Sequence, residues 1–101
     1  MNDKNHNEVT AYMRGRLASE EVLIITQEEC AEVSQAISKI LRFGISGSWE
    51  NRTNKERLEQ EIGDLLCLVD ILYEKGIISQ SMVEASSEYK REKLKKWSNI
   101  L

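Results

Sequence analysis

Hydrophobic residues return at helical spacing along most of this chain. Two long stretches, residues 22–41 and 58–73, carry apolar side chains every three or four positions. This period is typical of amphipathic α-helices, whereas a half-buried strand alternates every second residue. The second stretch is apolar around most of its circumference, so we expect it to be covered on more than one side. The pattern therefore predicts two long helices as the frame of the molecule.

Residues that flank the two stretches indicate where the helices end. Ser19 is a candidate N-cap and Gly44 a candidate stop, which predicts a helix from about residue 18 or 19 to residue 43. Thr53 and Glu56 have the spacing of a capping box, and Gly76 is a second stop, which predicts a helix from 54 to about 75. The Gly/Ser-containing segment 44–54 between them is expected to be a loop.

Two further helices are predicted outside this pair. One covers residues 8–14 and is broken at Gly15, and the other runs from about 80 to 98 with Ser79 as its N-cap. Residues 1–7 are polar, and we expect them to be flexible and His6 to belong to this tail. The predicted fold is a single all-α domain over residues 1–101, a bundle of about four helices with the two long helices packed antiparallel.

Acidic residues cluster at the edge of the first long apolar stripe. Glu28, Glu29 and Glu32 fall within one arc of the helix, because positions three and four residues apart are neighbours on a helix surface. Three like charges so close together destabilise a helix unless a cation neutralises them.

The second long helix carries a sharper conflict between polarity and position. Glu61 projects inside the apolar arc, and Asp64 lies at its edge. An ionised carboxylate is costly to bury unless it is paired or bound to a metal. Gly63, between them, costs about 1 kcal/mol in a helix interior relative to alanine, which close approach of a helix or a ligand would offset. If the two helices face each other, their carboxylates form an all-oxygen site suited to Mg²⁺ or Mn²⁺.

The two acidic runs resemble a known signature. Glu28-Glu29-x-x-Glu32 followed by Glu61-x-x-Asp64 is similar to the motif pair of the all-α nucleoside triphosphate pyrophosphohydrolases, the MazG-like family. The runs 28–44 and 61–66 are most similar to small single-domain members, and the resemblance covers about residues 20–97. It implies a Mg²⁺-dependent hydrolase, with Mn²⁺ as a possible substitute, that releases a nucleoside monophosphate and pyrophosphate.

The resemblance also implies roles for the acidic residues. Glu29, Glu32, Glu61 and Asp64 would hold the metal, and Glu28 would be a further ligand or a base. A water molecule activated by the metal would attack the α-phosphorus of the triphosphate. The position of attack follows from the resemblance alone, because residue spacing indicates a metal–carboxylate site and not its regiochemistry.

Four other residues are candidates for binding substrate. Lys39 matches a family position that contacts phosphates, and Lys93 matches one on the last helix only approximately. Lys93 and Lys96 fall on the apolar stripe of that helix, where they either contact phosphates or simply snorkel to solvent. Trp49, in the loop, either stacks on a nucleobase or anchors the loop to the bundle.

Composition limits the kinds of binding partner and the cellular compartment to be expected. The chain has 101 residues, a net charge of −3 and no proline. The acidic balance argues against nucleic acid binding as the main task. Two cysteines, Cys30 and Cys67, without metal-type spacing are expected to be reduced thiols in or near a core, in a cytoplasmic protein. No signal peptide and no membrane-spanning run is expected.

Alternatives from other functional classes remain open. A di-iron bundle needs a Glu-x-x-His pair, in which His6 does not take part. A non-catalytic nucleotide sensor and a structural oligomerisation module are compatible with the helices. Glu61 within an apolar arc counts against the structural module. The small core and the broadly apolar second helix predict a homodimer or homotetramer, with an active site that lies either within one chain or between neighbouring subunits.

Overall fold

Helices make up most of the structure, a computed structural model that describes the backbone from residue 3 to 101 and the side chains from Leu17 onward. The elements in chain order are α1 (Asp3–Phe43), β1 (Ser48–Trp49), β2 (Arg52–Thr53), α2 (Asn54–Glu74) and α3 (Gln80–Trp97). The all-α prediction is therefore confirmed. The side chain of His6 lies outside the described side chains, and the flexibility of residues 1–7 stays a prediction.

The described chain has three helices, not the four that the sequence predicted. The expected short helix over residues 8–14 is the first part of α1, which continues through Gly15 without a break. A lone glycine costs about 1 kcal/mol within a helix, and it ends one only where the backbone turns left-handed. Gly15 is flanked by arginines, which are good helix formers, so the helix carries on.

The predicted start of the first long helix at residue 18 or 19 is wrong, because α1 begins at Asp3 and Ser19 lies within it. The predicted C-terminal ends of the two long helices are confirmed. Gly44 has a φ of 89°, and its N–H donates to the Ile40 carbonyl at 2.8 Å, which ends α1 in a single-bond left-handed cap. At the end of α2, Gly76 has a φ of 69° and donates to Tyr73, while Ile77 donates to Leu72 at 3.0 Å. This pair of bonds is the Schellman motif.

Side chains cap the beginnings of α2 and α3. Glu56 N–H donates to Thr53 Oγ1 at 3.1 Å, and Thr53 N–H donates back to Glu56 Oε1 at 3.4 Å. These reciprocal bonds form the predicted capping box. Ser79 Oγ accepts from the Met82 N–H at 3.4 Å, so Ser79 is the N-cap of α3 as expected.

The segment between α1 and α2 contains a β-hairpin where the sequence predicted only a loop. Strands β1 and β2 pair antiparallel, with Trp49 opposite Arg52. The two residues of the turn, Glu50 and Asn51, have φ values of 53° and 64°. A two-residue hairpin needs positive φ at both positions, which is why Asn-Gly is its usual signal. Glu-Asn lacks the glycine, so the turn does not stand out in the sequence.

Close backbone contacts tie this hairpin to both helices. Asn54, only 6% exposed, donates its side-chain amide to the Gly44 carbonyl at 2.9 Å. Its own N–H donates to the Gly47 carbonyl at 2.8 Å. A Cβ at Gly47 would lie 2.8 Å from the Phe43 carbonyl oxygen, so only glycine fits there. The hairpin is thereby held where the two long helices meet.

The chain divides into two compact units, Met1–Ile71 and Leu72–Leu101. In the first unit, Gly44 at the end of α1 contacts Asn54 at the start of α2. Glu32, twelve residues earlier in α1, lies close to Glu61, which is farther along α2. The two helices therefore run antiparallel. The second unit contains α3, on which no side chain is buried. The antiparallel packing of the two acidic helices matches the prediction.

The hydrophobic surface of the chain is largely uncovered. Among the described side chains, only Ala36 and Leu72 are buried hydrophobic groups, whereas Leu41 is 81% exposed and Trp97 is 83% exposed. Cys30 and Cys67 are free thiols, as predicted, and both are exposed, so neither lies inside a core of the single chain. Within the described part, no helix has the length and apolarity needed to cross a membrane.

Candidate active site

Three carboxylates from the two long helices come together in the first unit. Glu29 and Glu32 on α1 and Glu61 on α2 each offer an oxygen atom, and these three atoms all lie within 4.8 Å of one another. The spacing of three residues places the two α1 carboxylates on the same face. The antiparallel packing then brings Glu61 against them.

Two oxygens in this cluster, hereafter the carboxylate triad, have no partner in the chain. Glu29 is 9% exposed, and its Oε1 is buried with no hydrogen-bond partner, as is Oε2 of Glu61. A buried polar atom without a partner costs about 1–3 kcal/mol, more if it is charged. Such a cost is offset when a ligand supplies the missing positive charge.

Crowding shifts the proton equilibria of two of the triad members. Hydrogen bonding to Glu61 and repulsion from it raise the pKa of Glu32 above the ordinary value of 4.5. Hydrogen bonding to Glu29, followed by burial, raises the pKa of Glu61 above the same value, although its hydrogen bond with Glu32 acts in the opposite direction. Without metal, Glu32 and Glu61 therefore release their protons at a higher pH than free carboxyl groups do, and a bound cation would favour that release.

Two further predicted carboxylates lie beside the triad and not within it. Asp64 adds repulsion that raises the pKa of both Glu32 and Glu61, and Glu28 does the same for Glu32. Both side chains are exposed. The structure thus brings three of the four predicted metal ligands together and leaves Asp64 and Glu28 on the solvent side of the triad.

The triad fits a hard divalent cation. All of its donors are carboxylate oxygens, which Mg²⁺ and Mn²⁺ prefer, and it contains neither the imidazole nor the thiolate that typifies zinc or copper sites. Mg²⁺ binds its ligands at about 2.0–2.1 Å and usually keeps several waters, so three carboxylates leave positions for substrate oxygens.

An aromatic and basic group lies at the hairpin end of the same helices. The ring of Trp49 has the Lys39 ammonium 5.7 Å from its centroid and the Arg57 guanidinium carbon 5.0 Å from it. Trp49 is 61% exposed, and its carbonyl accepts from Arg57 Nη2 at 2.6 Å. A cavity of about 430 Å³ opens here, which we call the aromatic pocket, lined by Lys39, Phe43, Gly47, Ser48, Trp49, Asn54 and Arg57.

A second cavity of about 280 Å³ adjoins the triad, and we call it the charged pocket. Its lining includes two triad members and three basic residues, together with Gln35, Ala36 and Gln60; the charged residues are Glu32, Glu61, Lys39, Arg52 and Arg57. Lys39 and Arg57 line both pockets. The predicted phosphate contact Lys39 thus lines both pockets, whereas the predicted base contact Trp49 lines the aromatic pocket.

Two basic residues of these pockets, Arg57 and Arg52, were not predicted from the sequence. Arg57 precedes Glu61 by four residues on α2, so both lie on one face of that helix, and this spacing was the available signal. Arg52 reaches the charged pocket from the hairpin and hydrogen-bonds to the side-chain oxygen of Gln60. That contact depends on the hairpin, which the sequence did not predict.

Lys93 and Lys96 belong to the second unit. The Lys93 ammonium lies 4.6 Å from the centroid of the Tyr89 ring. Both lysines line a surface hollow of about 380 Å³, together with Tyr89 and Trp97. Their predicted contact with substrate phosphates stays a prediction.

The raised pKa values predict how stability without metal depends on pH. Glu32 and Glu61 keep their protons to a higher pH in the folded chain than in the unfolded chain. The folded state therefore binds more protons above pH 4.5, and the contribution of this pair to the free energy of unfolding falls as pH rises through the raised pKa values.

Urea unfolding in EDTA between pH 4.5 and 7.5 measures this effect. The Glu61→Gln variant should lose less stability over this range than the wild type. Glu59→Gln removes a carboxylate elsewhere on the exposed surface of α2 and should follow the wild-type curve. Parallel curves for wild type and Glu61→Gln would contradict the crowded triad.

Comparison with known proteins identifies the family of the chain. The sequence profile of the MazG nucleotide pyrophosphohydrolase domain matches residues 18–94, which include α2, the hairpin and all five predicted acidic residues. No curated protein and no solved structure matches the chain. Because the match spans most of the sequence, the chain belongs to the MazG nucleotide pyrophosphohydrolase family.

Proposed function

We propose that this protein hydrolyses nucleoside triphosphates to nucleoside monophosphates and pyrophosphate with the help of Mg²⁺, or Mn²⁺ in its place. One observation carries the proposal: three carboxylates from facing helices meet with two buried oxygens that have no partner. Membership of the MazG family supports the hydrolysis of nucleotides. The cytoplasm is the compartment that we expect for such a protein.

In this proposal, Glu29, Glu32 and Glu61 hold the cation, and Asp64 completes the set from its neighbouring position. The bound cation would neutralise phosphate charge and lower the pKa of a water molecule. Glu28 is either a further ligand or the base that accepts the proton of that water. Attack of this water at the α-phosphorus breaks the bond to the bridging α,β-oxygen. The products are the nucleoside monophosphate and pyrophosphate, which is the leaving group.

Each of the two pockets would bind a different part of the substrate. The charged pocket, with Lys39 beside Glu32 and Glu61, suits the phosphate chain, whose negative charge increases in the transition state. The aromatic pocket, with the exposed Trp49 indole, suits the nucleoside. Lys93 and Lys96 are proposed as additional phosphate contacts.

Product analysis tests the proposed reaction. A panel of ribo- and deoxyribonucleoside triphosphates is incubated with Mg²⁺, with Mn²⁺ and with EDTA, and pyrophosphate and orthophosphate are quantified separately. We expect metal-dependent release of pyrophosphate with a monophosphate product. Release of orthophosphate would contradict the proposed cleavage, and binding without turnover would favour a nucleotide sensor.

Trp49 is expected to contribute to the binding of the nucleoside. Stacking of a base on an aromatic side chain contributes about 1–3 kcal/mol, so Trp49→Ala should raise KM about 5-fold to 150-fold. Trp49→Phe keeps an aromatic face and should stay closer to the wild type. An unchanged KM for Trp49→Ala would exclude stacking.

We also propose that the protein is a homodimer or homotetramer. Leu23, Ile24, Leu41 and Leu66 are each at least 50% exposed on the two long helices. So many large apolar side chains exposed on two packed helices favour an interface with another copy of the chain. Light scattering after size exclusion should therefore give at least twice the chain mass of 11.7 kDa. Leu41→Lys should shift the mass downward if that stripe is the interface, whereas a wild-type monomer would contradict the proposal.

A further inference from the structure

Arg57 lies at the junction of the two pockets. Its side chain lines both the aromatic pocket and the charged pocket. On the aromatic side, its guanidinium carbon is 5.0 Å from the centroid of the Trp49 ring, and Nη2 donates to the Trp49 carbonyl. Arg57 therefore holds the hairpin and extends to the carboxylate side of the cavity system.

The bonding of this guanidinium is incomplete. Its Nε is buried and has no hydrogen-bond acceptor. An arginine side chain presents five N–H donors in a fixed plane and matches carboxylate or phosphate oxygens two at a time. A buried donor without an acceptor is costly, so a small rotation of the guanidinium toward a ligand oxygen would be favourable.

The charge of Arg57 is also uncompensated. Glu32 and Glu61 line the same cavity, yet among the described side chains neither of them forms an ion pair with Arg57. Arg52, which lines this cavity as well, bonds to the neutral Gln60. Lys39, Arg52 and Arg57 thus face a pocket whose carboxylates are turned toward each other. An anion with several oxygens would satisfy these cations.

We propose that Arg57 binds the phosphate chain of the substrate while it holds Trp49 in place for the nucleoside. The inference rests on the proposed function and adds a residue that spans both parts of the substrate. The guanidinium donates to a phosphate oxygen in the charged pocket and keeps its stacking contact with the indole. A single side chain then couples occupancy of the charged pocket to the position of the hairpin.

Binding of two kinds of probe tests this role without turnover. The probes are inorganic tripolyphosphate, which has no base, and the α,β-methylene analogues of the common nucleoside triphosphates, which resist cleavage at the α-phosphorus. Affinities are measured by calorimetry in Mg²⁺ for wild type, Arg57→Ala, Arg57→Lys and Lys55→Ala. Lys55 is an exposed residue of the first turn of α2 that lines neither pocket, and it is the matched control.

We expect Arg57→Ala to weaken binding of both probes by about tenfold to a hundredfold, which is the usual effect of losing a charge-assisted hydrogen bond. Arg57→Lys keeps the charge but not the paired donors, so its tripolyphosphate affinity should lie between those of the alanine variant and the wild type. Lys55→Ala should bind both probes like the wild type. Circular dichroism confirms that the variants are folded, and Arg57→Lys provides the test if Arg57→Ala is not.

Other outcomes would overturn the inference. If Arg57→Ala weakens the nucleotide analogues but not tripolyphosphate, Arg57 acts only through Trp49. If neither probe is affected, Arg57 does not bind substrate. These results are distinct from failure of the proposed function, because a wild type that binds both probes through Arg57 but cleaves no nucleotide would remove the hydrolysis and keep the binding residue.

Discussion

Replacing Glu32 or Glu61 by glutamine is expected to lower kcat for pyrophosphate release by at least about 100-fold, because even the groups that only orient metal ligands contribute about 10-fold to 100-fold. Both side chains belong to the triad, in which the three donor oxygens lie within 4.8 Å of one another. Glutamine has nearly the same shape as glutamate but offers a neutral and weaker ligand. The loss should therefore appear in metal affinity and in kcat, while helix content stays unchanged.

The same substitutions should have the opposite effect on stability in EDTA. Without metal, the triad gathers mutually repelling carboxylates, with Asp64 adding to the repulsion on Glu32 and Glu61. Removing one charge relieves this repulsion, so the midpoint of thermal unfolding at pH 7.5 should rise or stay constant. Glu59→Gln, outside the triad, should change neither activity nor stability. Full activity in Glu32→Gln or Glu61→Gln would contradict the assigned site.

Addition of Mg²⁺ or Mn²⁺ is expected to raise the thermal midpoint of the wild type by about 10–20 °C at a metal concentration of one hundred times Kd. Saturation to this degree contributes about 2.7 kcal/mol, and about 4–8 °C follows from each kcal/mol in a domain of this size. The physical reason is that the cation offsets the free-energy cost of two buried oxygens that lack partners, one on Glu29 and one on Glu61.

The metal response also separates specific binding from general salt effects. In Glu61→Gln the rise should shrink to a small fraction of the wild-type value, because one of the two orphan oxygens no longer carries charge. Glu59→Gln should keep the full rise. Sodium chloride at equal ionic strength controls for charge screening, because it screens exposed charges without coordinating the triad. An equal rise in wild type and Glu61→Gln would show that the metal binds elsewhere.

Local chemistry explains which parts of the fold followed from the sequence. Gly44, Gly76 and the pair Thr53–Glu56 set helix ends through the backbone angles and hydrogen bonds of neighbouring residues, so they were predictable. The break predicted at Gly15 was wrong because one glycine without a left-handed turn does not end a helix. Helical spacing made the pair of Glu29 and Glu32 predictable, whereas the approach of Glu61 on α2 depends on the packing of the two helices.

Features that depend on contacts between residues far apart in the chain could not be predicted from the sequence. The hairpin turn at Glu50 and Asn51 adopts left-handed backbone angles without glycine, so nothing in its composition marks it. The role inferred for Arg57 depends on Trp49. The hairpin places the centroid of the Trp49 ring 5.0 Å from the guanidinium carbon of Arg57. Cys30, expected in or near a core, is exposed in the single chain.

Hydrolysis in ¹⁸O-labelled water tests the central claim most directly. The preferred nucleotide from the substrate panel is hydrolysed under single-turnover conditions with Mg²⁺. The products are then separated, and their masses are measured by mass spectrometry. Attack at the α-phosphorus predicts the heavy oxygen in the nucleoside monophosphate and none in the pyrophosphate. Heavy oxygen in pyrophosphate or orthophosphate, or turnover that persists in EDTA, would contradict the account of a metal-dependent nucleotide pyrophosphohydrolase.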